Sequence, residues 1–232
     1  MAAKRPAGKR VALFPVKGGT GKTTLALALA GAAAQRGLRV LVVDVETRTS
    51  RAAQSLLAGG KPPVGEVHAG LGHWSGVRVM RWDGVSDLPD DQAHLTIIDC
   101  PADPDMAEPA ARVADLVLIP VQPEPFAVVG VRDAHDVLSP AEREKVRIVV
   151  NGYDGRERLH REELAAMREH LASLLVPGVV IPRRAAIPRA QAQAAPLQLV
   201  SVRGLDDVLP AIESLLDAVL AQLNVPDPKE RA

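Results

Sequence analysis

Cysteine is nearly absent: Cys100 stands alone among 232 residues, so neither a disulfide framework nor a thiolate metal cage can be built. Aromatic residues are scarce too, at 2% of a chain that is 47% hydrophobic, so a core has to be filled by Ala, Val and Leu. No sign of charge prevails, with 28 Lys and Arg against 28 Asp and Glu. Without a global field, any attraction to nucleic acid or anionic lipid must come from a local patch. Long apolar runs are missing as well; Leu25 to Ala34 reaches about half of the roughly 20 residues that cross a bilayer. The basic start, Lys4, Arg5, Lys9 and Arg10, is like the opening of a signal peptide. Lys17 and its glycines interrupt the apolar run that follows too soon for one, and a cytoplasmic protein is expected. Six histidines are scattered, and His160 and His170 lie on an expected helix without H-E-x-x-H spacing, which reads them as surface residues.

What is present is a regular alternation of short β-branched runs and helical stretches. Strands are expected at Arg10–Pro15, Val40–Asp44, Val77–Arg81, Leu95–Asp99, Leu116–Val121, Val146–Asn151 and Val179–Ile181. Helices are expected near Thr23–Arg36, Ser50–Leu57, Met106–Val113, Val128–Leu138, Glu157–Leu175 and Asp206–Leu223. That order implies one α/β domain of three layers, a doubly wound and mostly parallel sheet with helices on both faces. The domain is expected over 10–224, between a flexible N-terminal segment, 1–9, and a flexible tail, 225–232. Gly59 to Gly76, rich in glycine and proline, reads as a mobile loop. No helix-turn-helix domain is expected in the short segment upstream of the first strand.

The chemistry concentrates in Lys17-Gly18-Gly19-Thr20-Gly21-Lys22-Thr23-Thr24, which joins the first strand to the first helix. A glycine-rich turn there lets backbone N–H groups converge on phosphate oxygens, and the helix start adds favourable partial charge. Lys22 would reach the β- and γ-phosphates and the Thr23 hydroxyl would ligate Mg²⁺. The common G-x-x-x-x-G-K-[ST] pattern fails at Val16; the fit is to K-G-G-x-G-K-[ST], with Lys17 in front.

This box resembles the deviant Walker A motif of the ParA/MinD ATPases, a branch of the P-loop NTPases. The resemblance implies the fold above, ATP and Mg²⁺ as cofactors, and a front lysine that crosses a homodimer interface to the partner's phosphates. It covers about Arg10 to Leu223. The second strand ends Asp44-Val45-Glu46, where the family carries D-x-D-P-Q. Asp44 then serves the Mg²⁺ shell, and Glu46 stands where a second aspartate positions the attacking water. Glutamate is one methylene longer and shifts that geometry, and a misplacement near 1 Å costs about 10²-fold in rate; Glu46 is otherwise a plain solvated carboxylate. Thr96-Ile97-Ile98-Asp99-Cys100-Pro101 resembles the Walker B segment, with Asp99 in the Mg²⁺ shell. Cys100 reads as a small buried residue. Leu118 to Pro123 resembles the family's next strand and turn. Asn151 and Pro182 match positions that flank the base, where an amide offers both a donor and an acceptor. The expected catalytic set is therefore Lys17, Asp44 and Glu46. The nucleotide set is Gly18, Gly19, Thr20, Gly21, Lys22, Thr23, Thr24, Asn151 and Pro182, and the metal set is Thr23, Asp44 and Asp99.

Relatives divide by surface between membrane and nonspecific DNA. The last helix carries Asp206, Asp207, Glu213 and Asp217 without Lys or Arg, which repels anionic lipid. The window Val176 to Gly204 contains Arg183, Arg184, Arg189 and Arg203 and no acid. Those four are expected DNA contacts, about eight in a dimer, for a log–log salt slope near −7; alternatively some touch nucleotide or bridge the dimer. Arg156, Arg158, Arg161 and Arg168 alternate with glutamates and read as a compensated, solvated face. The expected protein is a ParA-like ATPase on the nucleoid, with a stimulating or cargo-adaptor partner and no membrane. The rivals are an ATP-binding switch with negligible hydrolysis, a positioning ATPase for a protein organelle or chemoreceptor cluster, and a ligase, for which no substrate constellation is found.

Overall fold

The computed structural model describes residues 8–45, 72–74, 77–82, 84, 88, 92–193 and 197–226. Glu46, the helix expected at Ser50–Leu57 and the end of the tail lie outside the described residues. Eight strands form one sheet: β1 (Lys9–Leu13), β2 (Val40–Val45), β3 (Gly72–Trp74), β4 (Val77–Trp82), β5 (Leu95–Asp99), β6 (Leu116–Val121), β7 (Val146–Tyr153) and β8 (Leu175–Pro182). Their order is β3-β4-β2-β5-β1-β6-β7-β8. Every pairing is parallel except that of β3 with β4. The chain leaves β1 toward one edge, returns at β5 and then builds the other edge. The C-terminal ends of the central strands thus open a crevice at the point where the winding reverses, which is where open α/β sheets bind ligands.

Strands β2, β5 and β6 are buried along their whole length, which is why they read as mostly Val, Leu and Ile. Alternation decides which layer each side chain enters. Val11, Leu13, Val40, Val42, Leu95, Ile97, Leu116 and Leu118 pack with helices α1 (Lys22–Gln35) and α7 (Val208–Leu223). Ala12, Phe14, Leu41, Val43, Ile98, Val117 and Ile119 pack on the other side with α2 (Pro104–Val113), α3 (Ala127–Val137) and α5 (Arg158–His170). Two short helices, α4 (Pro140–Arg143) and α6 (Ala186–Gln191), complete the described set with a 3₁₀ turn at Leu197–Leu199. Helix α1 is buried almost all round, from Leu25 to Ala33, and its alanines allow close approach to sheet and neighbour alike.

Three expectations are corrected. Part of the loop expected at Gly59–Gly76 is strand β3, which pairs antiparallel with β4. Two residues separate the strands, the commonest hairpin spacing, a signal hidden by the glycine-rich composition. The helix expected to run to Leu175 stops at His170. Leu174 instead accepts a hydrogen bond at 2.7 Å from the Ile148 N–H, drawing the Leu-Leu-Val run onto the sheet edge as β8. A left-handed Gly178 (φ +71°) lies within the irregular register of that strand. Finally, His160 is buried rather than exposed, because its Nδ1 accepts the Asp154 N–H at 2.9 Å and Nε2 lies 3.2 Å from Glu157. His170 is exposed, as expected.

Candidate nucleotide site

The loop 14–21 leaves β1 at the crevice, anchored where the Phe14 N–H donates to Leu118 O at 2.8 Å. It turns through two left-handed glycines, Gly19 (φ +81°) and Gly21 (φ +88°). Gly21 precedes α1 as its N-cap and offers no side-chain hydrogen bond to the first turn. The leading N–H groups of a buried helix are therefore left for an external anion. A Cβ at Gly21 would come within 2.4 Å of Asn151 Nδ2, so with the left-handed φ another residue there would be strained and would displace the Asn151 amide.

Two side-chain amides bond the loop's carbonyls. Asn151 Nδ2 donates to Thr20 O at 2.7 Å and Gln122 Nε2 donates to Gly19 O at 3.2 Å. One N–H of the Asn151 amide is engaged in this way, which leaves its second N–H and Oδ1 to present to a base. Gln122 carried no role in the sequence reading; its position just past β6, beside the loop, is a tertiary fact. Asn151 and Pro182 come together through the pairing of β7 with β8, Asn151 opposite Ile181 and Tyr153 opposite Pro182.

Asp44 and Asp99 face each other in register at the ends of β2 and β5, and both are buried. The Thr23 hydroxyl donates to Asp99 Oδ2 at 2.6 Å, while buried Asp99 Oδ1 has no hydrogen-bond partner among the described residues. Burial pushes the Asp99 carboxyl up to about 6, against the opposing pull of the Thr23 hydroxyl and the Lys22 ammonium. Burial likewise lowers Lys22, and Asp99 and Cys100 resist that. The Cys100 thiol is buried and pushed up by desolvation and by Asp99, an inert small residue as expected. No group of three His, Cys, Asp or Glu able to hold a metal ion occurs among the described residues. A hydroxyl against one carboxylate oxygen, with the other oxygen unsatisfied, fits a hard cation that keeps waters and takes its remaining ligands from phosphate, as Mg²⁺ does.

The remaining site residues fall into two groups. Thr24 Oγ1 accepts from Gln191 Nε2 at 2.8 Å, tying α1 to α6, and Thr20 is buried. Lys17 is half-exposed, and its ammonium is ion-paired with Glu124. The arginine window is acid-free in sequence but not in space. Arg184 is paired with Asp207, and Arg183 lies 3.5 Å from Glu157. Arg189 and Arg203 are exposed. On α5 Arg158 is paired with Glu162 at 2.7 Å, as expected, while Arg156 precedes the helix and is paired with Asp154 at 2.7 Å. Among the described residues no helix is long and apolar enough to cross a membrane.

The chain is similar to known proteins. The CobQ/CobB/MinD/ParA nucleotide binding domain matches residues 11–197. The chromosome-partitioning ATPase Soj of Thermus thermophilus is 30% identical over 212 residues, covering 78% of this chain and 84% of that protein. Among solved structures, the cell division ATPase MinD of Pyrococcus furiosus superposes with a TM-score of 0.70 at 22% identity, over 92% of this chain and 99% of that one. The septum site-determining protein MinD of Pyrococcus horikoshii, complexed with Mg-ADP, gives 0.63 at 18% identity, over 91% and 96%.

Proposed function

This chain belongs to the CobQ/CobB/MinD/ParA family of nucleotide-binding domains, and on that premise we propose that it is a ParA-type ATPase. It binds ATP with Mg²⁺, closes as a homodimer around two nucleotides, holds DNA nonspecifically and moves or spaces a cargo on the nucleoid. One observation carries the reading. The Thr23 hydroxyl bonds the Asp99 carboxylate, whose charge acts on the buried Lys22 ammonium, while Lys17 stands half-exposed. Only the buried lysine is needed to hold a nucleotide, so an exposed second one suits a phosphate held by another subunit.

In that complex the loop N–H groups of residues 18–24 and Lys22 hold the triphosphate, and Thr23 and Asp99, with Asp44 nearby, hold the Mg²⁺ shell. The metal ion supplies charge neutralisation at the phosphates. Lys17 adds a donated positive charge where negative charge develops during phosphoryl transfer, the general logic of such sites. Glu46 is the residue proposed to order the attacking water. Hydrolysis then reopens the dimer, with a stimulating partner setting the rate. The 30% identity to a chromosome-partitioning ATPase supports partition as the process.

The test is Lys17→Ala. The variant should bind nucleotide about as well as the parent in a single subunit yet form no dimer with Mg²⁺ and a slowly hydrolysed ATP analogue on size exclusion. A variant that dimerises and turns over like the parent would remove the cross-subunit role. The Glu46 replacement favours a second reading, a switch that holds ATP with negligible turnover. Steady-state phosphate release that rises in Glu46→Asp would select it.

A further inference from the structure

The proposed dimer needs Lys17 to leave its own subunit, yet in the single chain its ammonium is held by the Glu124 carboxylate. Glu124 is carried by a turn whose backbone is restrained. It sits in Gln122-Pro123-Glu124-Pro125-Phe126, between β6 and α3. Its N–H donates to Gln122 O at 2.8 Å and its carbonyl accepts the Ala127 N–H at 3.0 Å. Prolines on both sides restrict the backbone further. The turn ends at Phe126, which is left-handed (φ +68°) and 81% exposed, an uncommon conformation for a bulky residue. This turn and the helix that follows it are seated on the phosphate loop at two other points. Gln122 donates to Gly19 O, and a Cβ at Gly130 would come within 2.6 Å of Val16 Cγ1.

We propose that Glu124 is a positioning residue for Lys17: it stows the ammonium against its own subunit and so sets how much nucleotide-bound protein is needed to close the dimer. The inference rests on the cross-subunit role given to Lys17 above. The carboxylate and the partner's triphosphate compete for one cation, and the turn that carries the carboxylate also grips the nucleotide loop. Exposed Lys–carboxylate pairs contribute about 0–1 kcal/mol, at most roughly a five-fold bias per pair. Two such pairs open for each dimer formed, so the bias enters squared and reaches up to about 25-fold in the dimer dissociation constant.

Dimerisation of the parent, Glu124→Gln, Glu124→Asp, Lys17→Ala and the double variant Lys17→Ala/Glu124→Gln is measured by analytical ultracentrifugation with Mg²⁺ and ATPγS, beside single-subunit ATPγS affinity. The expected result is a five- to 25-fold lower dimer dissociation constant for Glu124→Gln, near-parental behaviour for Glu124→Asp, unchanged single-subunit affinity, and no effect of Glu124→Gln once Lys17 is gone. A Glu124→Gln protein that dimerises like the parent overturns the stowing role while leaving the dimer reading intact. One that dimerises less shows that Glu124 receives the partner's lysine in the closed form, which also overturns it. A parent that fails to dimerise with any nucleotide removes the cross-subunit reading itself, and the stowing role with it.

Discussion

Asp99 and Lys22 form a buried pair whose members are each held away from their ordinary ionisation by desolvation, and this strain belongs to the ligand-free protein. A carboxyl that ionises near 6 when folded and near 3.8 when unfolded favours the folded state only while protonated. Its contribution is fully present below the unfolded value and is lost as pH rises through the folded one. At neutral pH the cost is up to about 3 kcal/mol, and at pH 5 it is about half that. Asp99→Asn is therefore expected to raise the melting temperature of the nucleotide-free protein at pH 7.5, with a gain that shrinks as the pH is lowered toward 5. The same variant should lose the Mg²⁺ dependence of nucleotide binding. Thermal melts across that range check the first claim and titrations with and without Mg²⁺ the second; a pH-independent gain would mean that the carboxyl is not the source. Lys22→Ala is predicted to abolish nucleotide binding, since it removes the inner cation; retained micromolar affinity by calorimetry would contradict the loop assignment.

Elements explain how such residues are brought together, and also why only part of the site was legible in the sequence. The phosphate loop, Asp44 and Asp99 announce themselves because each ends a β-branched run, and a parallel strand puts its last residue at one edge of the sheet. Gln122 and Glu124 carry no such signal. Their roles arise because the return of the chain from β5 past β1 sets β6 beside the loop, which local pattern does not record. His160 was misread for a related reason: its burial comes from a backbone N–H at Asp154, not from helical periodicity. Another contact of this kind joins helices far apart in the chain. Arg36, at the C-terminus of α1, is 4% exposed and bonds Glu213 at 3.0 Å and Asp217 at 2.5 Å on α7. The acidic residues that argued against a lipid surface are thus partly neutralised by a neighbouring helix. Arg36→Ala should cost about 2 kcal/mol, because the carboxylates left behind are partly solvated and escape the full 3–5 kcal/mol of a broken buried pair. For a chain of this size that is about 4–8 °C in Tm. Nucleotide affinity measured at a temperature where the variant is folded should match the parent; a shift below 1 °C would show that α1 and α7 are held by their apolar contacts alone.

At the scale of the whole molecule, zero net charge leaves DNA binding to whatever cations the fold keeps clear of carboxylates. The window 176–204 promised four arginines per subunit, and the fold places Glu157 against one of them and Asp207 against another. Arg189 and Arg203 remain exposed, with no ion pair between them and a described acid. A dimer would then present about four phosphate contacts rather than eight, which lowers the expected salt slope from near −7 to about −4. Reversal of Arg189 or Arg203 to Glu should accordingly weaken retention far more than reversal of Arg184, whose loss is felt first as an orphaned Asp207. The measurement is an equilibrium titration of duplex DNA with protein, Mg²⁺ and ATPγS, repeated between 50 and 200 mM salt. A slope of about −4 that drops further in the Arg189→Glu and Arg203→Glu variants supports the two-arginine surface. A slope near −7, equally sensitive to Arg183 and Arg184, would mean that phosphate displaces Glu157 and Asp207 from their partners and that all four arginines reach the duplex.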